Sequence, residues 1–461
     1  MLCKLMLPEI RELIEDRDGE TLSEVLDMWQ PADIAELFSD LDDADERAAF
    51  QLLHGPQRTM IFEYLDRPTQ HLLLESLEPA DAGALFNDMA ADDRTALLEE
   101  LDEADREKHL HTLSDQQQAI ARALLKYPED SVGRLMSPDF IAVRSNWTVE
   151  HVLDHVRRHG QDSETLNVVY VVDHDMHLID DLRIRQILLA PIHTTIERLR
   201  DKNFVNLKAT DSKRSAIELF RRYDRTALPV VDESNRLIGI VTIDDVLDVA
   251  EQAATEDAQK FGGLEALSEP YASTPLRTMI QKRATWLVIL FLGELLTATA
   301  MGYFEQELAR AVVLALFIPL IISSGGNSGS QAATLIVRAL AVGEIRLNDW
   351  FSVFRRELIS GAILGLILGV IGFIRIVLWS AFSDIYGPHS LLVAIAVSLS
   401  LVAIVLWGSL IGSMLPFLLK RAGVDPATSS APFVATFVDV TGLVLYFSIS
   451  MLVLRSTLLK E

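Results

Sequence analysis

Asp439 is the one charged residue in the last long apolar run of this chain, within 425–446, DPATSSAPFVATFVDVTGLVLY. A carboxylate at bilayer depth costs at least ~2.5–3.5 kcal/mol on insertion scales, so it normally faces a partner or a water-filled path. Small and hydroxyl residues surround it: Ala427, Thr428, Ser429, Ser430, Ala431, Ala435, Thr436, Thr441 and Gly442. Such residues let helices approach closely and offer oxygens to a passing ion. The combination predicts that Asp439 lines a cation pore, with oxygens of Ala435 and Thr436 one turn earlier. The alternative is an acid paired with an arginine or a helix N-terminus for structure alone. Glu294, in an earlier apolar run, reads as structural, hydrogen-bonded near Thr297 and Thr299 or to a neighbouring helix.

Five apolar stretches are long enough to cross ~30 Å of hydrocarbon: 284–303, 311–338, 358–381, 391–418 and 432–454. Lys282, Arg283, Arg346, Arg355, Arg356, Lys420 and Arg421 fall on one side, and the alternate loops hold only Arg310. The positive-inside bias then puts the N-terminus in the cytoplasm and the C-terminus outside. The second stretch carries Pro319 and SSGGNSGSQAATLIVRALA. Gly325, Gly326 and Gly329 are expected to loosen this helix, and its serines, Asn327 and Gln331 make it polar. Such a segment is tolerated only inside protein or beside water. Arg375 is expected to snorkel from the third stretch.

Charge divides the chain. From Arg277 on there are 13 Lys+Arg against 10 Asp+Glu, and before it 28 against 56, within a net charge of -25 over 461 residues. The first part reads as a strongly acidic soluble region, which argues against nucleic acid as a partner and suits divalent cations. Cys3 is the single cysteine, so no disulfide framework is available. The N-terminus lacks a basic segment followed by an apolar core, so no signal peptide is expected.

Up to Tyr127 the periodicity is helical, as in Ile34, Leu37, Phe38 and Leu41. PADIAELFSDLDDADERAAFQLL and PADAGALFNDMAADDRTALLEEL nearly repeat, predicting helix pairs at 32–41 with 44–53 and 80–89 with 92–101. Stacked pairs would form a superhelix. Over 131–257 the pattern becomes short β runs and helices, repeated after about 60 residues. NVVYVV and ALPVV are strands; further strands are expected at 178–184 and 237–242, with helices at 185–189 and 243–249.

TALPVVDESNRLIGIVTIDDVLDV resembles the second half of a CBS domain, so 131–257 resembles a tandem CBS pair. That resemblance implies an adenine nucleotide such as ATP, its ribose held by Thr242 and Asp245. The first copy departs from the pattern, with Leu178-Ile179-Asp180-Asp181 in place of the glycine and Gln186 in place of the aspartate. A linker helix is expected over about 248–275, with Gly262-Gly263 as a break.

GGNSGSQAATLIVRALA, WLVILFLGELLTATA and VDPATSSAPFVATFVDVTG together resemble the MgtE family of magnesium channels and transporters. The resemblance implies a multidomain membrane protein, not an enzyme. Its parts are an all-α superhelical cytosolic N-domain (1–130), CBS domains (131–202 and 203–257), a connecting helix (258–280) and a five-span domain (281–461). It further implies a homodimer in the cytoplasmic (inner) membrane, with a pore on the dimer axis lined by the second and fifth spans. Asp439 would coordinate hydrated Mg2+, beside Ala435, Thr436, Gly325 and Asn327. Mg2+ at Asp224, Asp245, Asp248, Glu256, Asp257 and Asp425, with Asp92 or Asp93, would hold the pore shut. Asp224, Asp245 and Asp248 are expected to crowd together. Ala431 stands where members often carry Asn or Gly. The alternatives are a carrier coupling Mg2+ or Co2+ to H+ or Na+, an intramembrane aspartyl protease and a nucleotide-sensing receptor.

Overall fold

The computed structural model describes residues 2–267, 271 and 274–455. The chain forms two compact units, Met1–Gln252 and Ala253–Glu461.

The first unit opens with ten helices: α1 (Leu2–Glu15), α2 (Gly19–Leu26), α3 (Pro31–Ser39), α4 (Asp43–Leu52), α5 (Gly55–Tyr64), α6 (Arg67–Ser76), α7 (Pro79–Asp88), α8 (Ala91–Glu100), α9 (Glu103–Leu110) and α10 (Asp115–Leu124). Helices this short are marginal alone in water. Asp18, Asp42, Asp66, Asp102 and Ser114 accept hydrogen bonds from first-turn N–H groups and fix where helices start. Stacking supplies the rest. Helix α1 packs on α3, α3 on α5, α5 on α7 and α7 on α9, while α2 packs on α4 and α4 on α6. Leu37, Phe38, Phe50, Phe62, Leu73, Phe86 and Leu97 run through the shared core. This is the superhelix the repeat predicts.

Two three-stranded sheets follow: β1 (Ala142–Arg144), β2 (Val168–Val172) and β3 (Leu178–Arg183), then β4 (Leu207–Lys208), β5 (Ala227–Val231) and β6 (Leu237–Thr242). In each, the first strand runs parallel to the second and the second antiparallel to the third. Helix α11 (Val149–His159) crosses from β1 to β2, α12 (Ile184–Leu189) follows β3, and α13 (Lys213–Tyr223) and α14 (Ile243–Phe261) take the same places in the second copy. Strands β2 and β5 are buried along their whole length, which explains their unbroken apolar runs. The copies meet where Val168, Tyr170 and Val172 pack on Val231, Leu237 and Ile240. The edge strands β1 and β4 are too short to leave a periodic signal.

Helix α14 continues twelve residues beyond the expected 249 and ends at the Gly262-Gly263 break. Gly263 has φ +75°, and a Cβ there would stand 2.7 Å from Trp286 Nε1. The segment 258–280 is therefore not one rod: α14 supplies its start, and the next helix begins at Leu276. Residues 268–270 and 272–273 of that stretch lie outside the described residues.

The second unit holds α15 (Leu276–Tyr303), the short α16 (Glu305–Arg310), α17 (Ile318–Ala341), α18 (Trp350–Ser380), α19 (Ser390–Arg421) and α20 (Ala431–Leu454). All but α16 belong to five segments long and apolar enough to cross a membrane. Helices α17, α18 and α20 pack on α19, α17 also packs on α20, and α15 packs on α20. The glycines expected to loosen the second span instead lie within an uninterrupted helix. They are a packing seam: a Cβ on Gly408 would stand 2.4 Å from Gly325 O, and one on Gly412 2.0 Å from Gly329 O. Two backbones approach this closely only where neither carries a side chain.

Candidate ion pathway and acidic cluster

Asp439 lies about a third of the way along α20, half-buried, with Ala435 and Thr436 one turn earlier. Its Oδ1 is 3.2 Å from where a Cβ of Gly326 would stand, and Ala435 Cβ is 3.4 Å from the same point. Gly326 in α17 thus leaves room for the carboxylate. Among the described residues Asp439 has no hydrogen-bond or ion-pair partner, so the arginine or helix N-terminus of a purely structural acid is absent. Glu294 of α15 is exposed and lies within electrostatic reach of Asp439. The expected hydrogen bond from Glu294 towards Thr297 or Thr299 does not form among the described residues; Thr299 bonds Leu295 O instead.

Most hydroxyls of 425–446 are committed to structure. Ser430 caps α20 by accepting from Phe433 N, Thr428 bonds Asp425 O, and Thr441 accepts from Trp407 Nε1 at 2.9 Å. Thr436 is different. Its methyl packs 3.0 Å from a Cβ position on Gly293 of α15, and its hydroxyl has no partner among the described residues. Asn327 is exposed and donates to Ser323 Oγ at 3.3 Å. Gly325, expected to line the pore, is buried against Ile404 and Val438. One residue's shift on a helix turns the side-chain direction by about 100°, which is why Gly326, and not Gly325, meets Asp439.

In the first unit, helix starts bring acids together. Asp92 and Asp93 open α8, and Asp244 and Asp245 open α14. Asp92 is 7% exposed and its Oδ1 has no hydrogen-bond partner. Burial, then Asp245, Asp93 and Glu164, push its carboxyl well above the usual range. Burial raises Asp245 to about 6, against a hydrogen bond from Thr242. Burial, then Asp245, brings Glu164 to about 7; burial, then Asp93, does the same for Glu63. Asp93 and Asp248 are raised too, both by burial first, and Arg67 opposes each rise. Glu63 and Glu164 carry no motif, and only folding brings them to the others.

Among the described residues no three His, Cys, Asp or Glu side chains are grouped to hold a bare metal. A hydrated Mg2+, which retains several waters, needs fewer direct ligands. The expected crowding of Asp224 with Asp245 and Asp248 is not found: Asp224 is exposed at the end of α13 with φ +51°, and the charges acting on Asp248 are Glu251, Asp244 and Arg67. Thr242 Oγ1 donates to Asp245 Oδ2 at 2.6 Å, so the expected ribose-holding pair is closed on itself amid negative charge. In the second unit, Lys260 Nζ lies 3.3 Å from Asp425 and 3.7 Å from Glu256. A lysine thus bridges two of the acids expected to sense Mg2+. Asp257 follows Glu256 on the same helix.

Family models match three parts of the chain: a divalent cation transporter domain over 318–449, an MgtE intracellular N domain over 29–130, and CBS domains over 132–193 and 196–251. The magnesium transporter MgtE of Thermus thermophilus is 41% identical over 344 residues, 75% of this chain and 74% of that protein. The chain belongs to the MgtE family. It is a multi-pass membrane protein. The magnesium transporter MgtE of Enterococcus faecalis is 29% identical over 335 residues, 72% of this chain and 71% of its own. Among solved structures, the ATP-bound cytosolic domain of an MgtE Mg2+ channel is 32% identical with a TM-score of 0.50, covering 53% of this chain and 99% of that one. The soluble part of a magnesium transporter, at 23% identity and a TM-score of 0.52, covers 55% and 99% and shares the fold.

Proposed function

We propose that this MgtE family member is a Mg2+ channel for uptake across the cytoplasmic membrane, working as a homodimer and closed by Mg2+ on its acidic cytosolic domains. The observation that carries it is the unpartnered Asp439 carboxylate opposite Gly326, with Ala435 and the free Thr436 hydroxyl one turn away. Mg2+ gives up water reluctantly. Two Asp439 side chains, one from each subunit, would hold the hydrated ion through its waters without trapping it. Asn327 and Gly326 complete the lining, Gly326 replacing Gly325. The N-terminus is cytoplasmic.

The regulatory part is the cluster of Asp92, Asp93, Asp245 and Asp248, extended by Glu63 and Glu164. Their mutual repulsion opposes the compact state, and Mg2+ favours it. A ligand shifts such a balance only by its differential affinity, about 10⁴-fold to move 1:99 to 99:1, which several weak sites supply together. Asp425, Glu256 and Asp257 form the second regulatory group beside Lys260, and Asp224 acts separately. Functionally, 1–130 and the CBS copies at 131–202 and 203–257 sense, 258–280 connects and 281–461 conducts. ATP binds the CBS pair, a reading supported by the ATP-bound relative; no heat on titrating millimolar ATP would remove it.

The test is patch-clamp recording in liposomes with Mg2+ as the sole permeant cation. Native chain should give single-channel steps that close when Mg2+ rises on the soluble-domain side, and Asp439→Ala should abolish them. Glu294, within reach of Asp439, favours a second reading, a carrier coupling divalent cations to protons. That reading requires Asp439-dependent uptake without steps, and a loss of flux when the proton gradient is collapsed.

A further inference from the structure

Helix α11 carries His151, His155 and His159, four residues apart on one face. Trp147 lies edge-on to His151 and His155, with ring centres 4.3 Å and 5.2 Å away, and the His155 and His159 rings are 4.6 Å apart. His151 and His159 are exposed and His155 is half-buried. None of their ring nitrogens has a hydrogen-bond partner among the described residues. Arg158, whose charge acts on His155, is tied to Asp154.

We propose that His155 and His159 form a two-histidine chelate for a borderline divalent transition ion such as Zn2+, Ni2+, Co2+ or Cu2+, distinct from any Mg2+ site. Histidines at i and i+4 share one helix face and reach one metal. An imidazole bound at about 2.0–2.1 Å has its centre about 3.2 Å from the metal, so two on adjacent corners of a tetrahedral or octahedral shell lie about 4.5–5.2 Å apart. The observed 4.6 Å falls within that range. Among the described residues the imidazoles in direct ring contact are His155 and His159, while the ring contact of His151 is with Trp147. Among the described residues no third protein ligand joins them, and waters complete the shell. Imidazole nitrogen suits these ions, whereas Mg2+ prefers oxygen. The first CBS copy thereby gains a site for an ion other than the one the acids bind. This inference is independent of the ion pathway.

The test uses the full chain, purified without a polyhistidine tag, with Zn2+ or Ni2+ in competition against a chelating dye under millimolar Mg2+. One ion per chain that Mg2+ does not displace is expected. His155→Gln and His159→Gln should each weaken it by at least about tenfold, the lower figure for disturbing a metal site's support, while His151→Gln leaves it unchanged. Cu2+ added to the native chain should show two coupled nitrogens by electron paramagnetic resonance, and one in either variant. Native-like melting of the variants certifies their fold. Unchanged binding in His155→Gln, displacement by Mg2+, or a single-nitrogen Cu2+ signal in the native chain overturns the site.

Discussion

Removing Mg2+ from the acidic cluster should make the first unit less stable as pH rises from 5 to 7.5. Folding raises Asp245 from 3.8 to about 6, and Glu164 and Glu63 from 4.5 to about 7. A carboxyl with a raised folded-state value binds its proton more tightly when folded. Its stabilising effect is complete below the unfolded value and is lost as pH climbs through the folded one. Only the part above pH 5 is lost in this window, about one unit for Asp245, so at about 1.4 kcal/mol per unit Asp245 alone corresponds to ~1.4 kcal/mol, or ~1 after discounting its partial exposure. In a unit of this size that is a fall of about 2–4 °C in melting temperature. His109 and His155 lie below the usual imidazole value, both through burial first, and act in the opposite sense up to about pH 6.5. The comparison must therefore isolate the acids. Melting of the full chain is followed by differential scanning calorimetry in EDTA and in saturating Mg2+, for native protein and Asp92→Asn. The native difference between Mg2+ and EDTA should be large at pH 7.5 and nearly absent at pH 5. Asp92→Asn, which removes a charge facing Asp245, should shrink it at pH 7.5 and melt higher than native in EDTA. An equal Mg2+ effect at both pH values, or an unchanged one in Asp92→Asn, would refute the cluster as the Mg2+-sensing element.

Other perturbations follow the same logic. Asp224→Asn, Asp245→Asn and Asp248→Asn together should move the Mg2+ inhibition curve of single-channel activity to higher concentration; because Asp224 lies apart, it should contribute least when changed singly. Lys260→Met removes the cation between Glu256 and Asp425, and since an exposed pair is worth about 0–1 kcal/mol, open probability at low Mg2+ should rise by up to about fivefold. Gly412→Ala drives a methyl into the Gly329 backbone and should cost about 1–3 kcal/mol, read as a lower melting temperature of the detergent-solubilised protein. Gly343→Ala, where a Cβ meets nothing but φ is +73°, isolates the backbone effect alone.

Sequence alone determined the parts whose signals are local. Helical periodicity with Pro and Asp at the starts marked the repeat, β-branched runs marked the two buried central strands, and apolar length marked the spans. Asp439 was legible because a lone carboxylate in an apolar run contradicts its surroundings. The Gly262-Gly263 break was legible because only glycine readily takes a positive φ.

Direction and assembly were left to the tertiary structure. Whether Gly325 or Gly326 meets Asp439 depends on the rotation of α17 against α20, and neighbouring glycines in sequence do not encode it. Nor does sequence show that Gly408 and Gly412 are the partners that keep the glycine-rich span a continuous helix. Glu63 and Glu164 join Asp92 and Asp245 from segments far apart in the chain, and the cost of burying them arises only once they meet. Asp224 stays outside that group although it lies close in sequence to Asp245, because a left-handed residue ends its helix and leaves its side chain in solvent. Local propensity selects elements, but mutual burial and close backbone approach decide which side chains share a site, and those are properties of the packed chain.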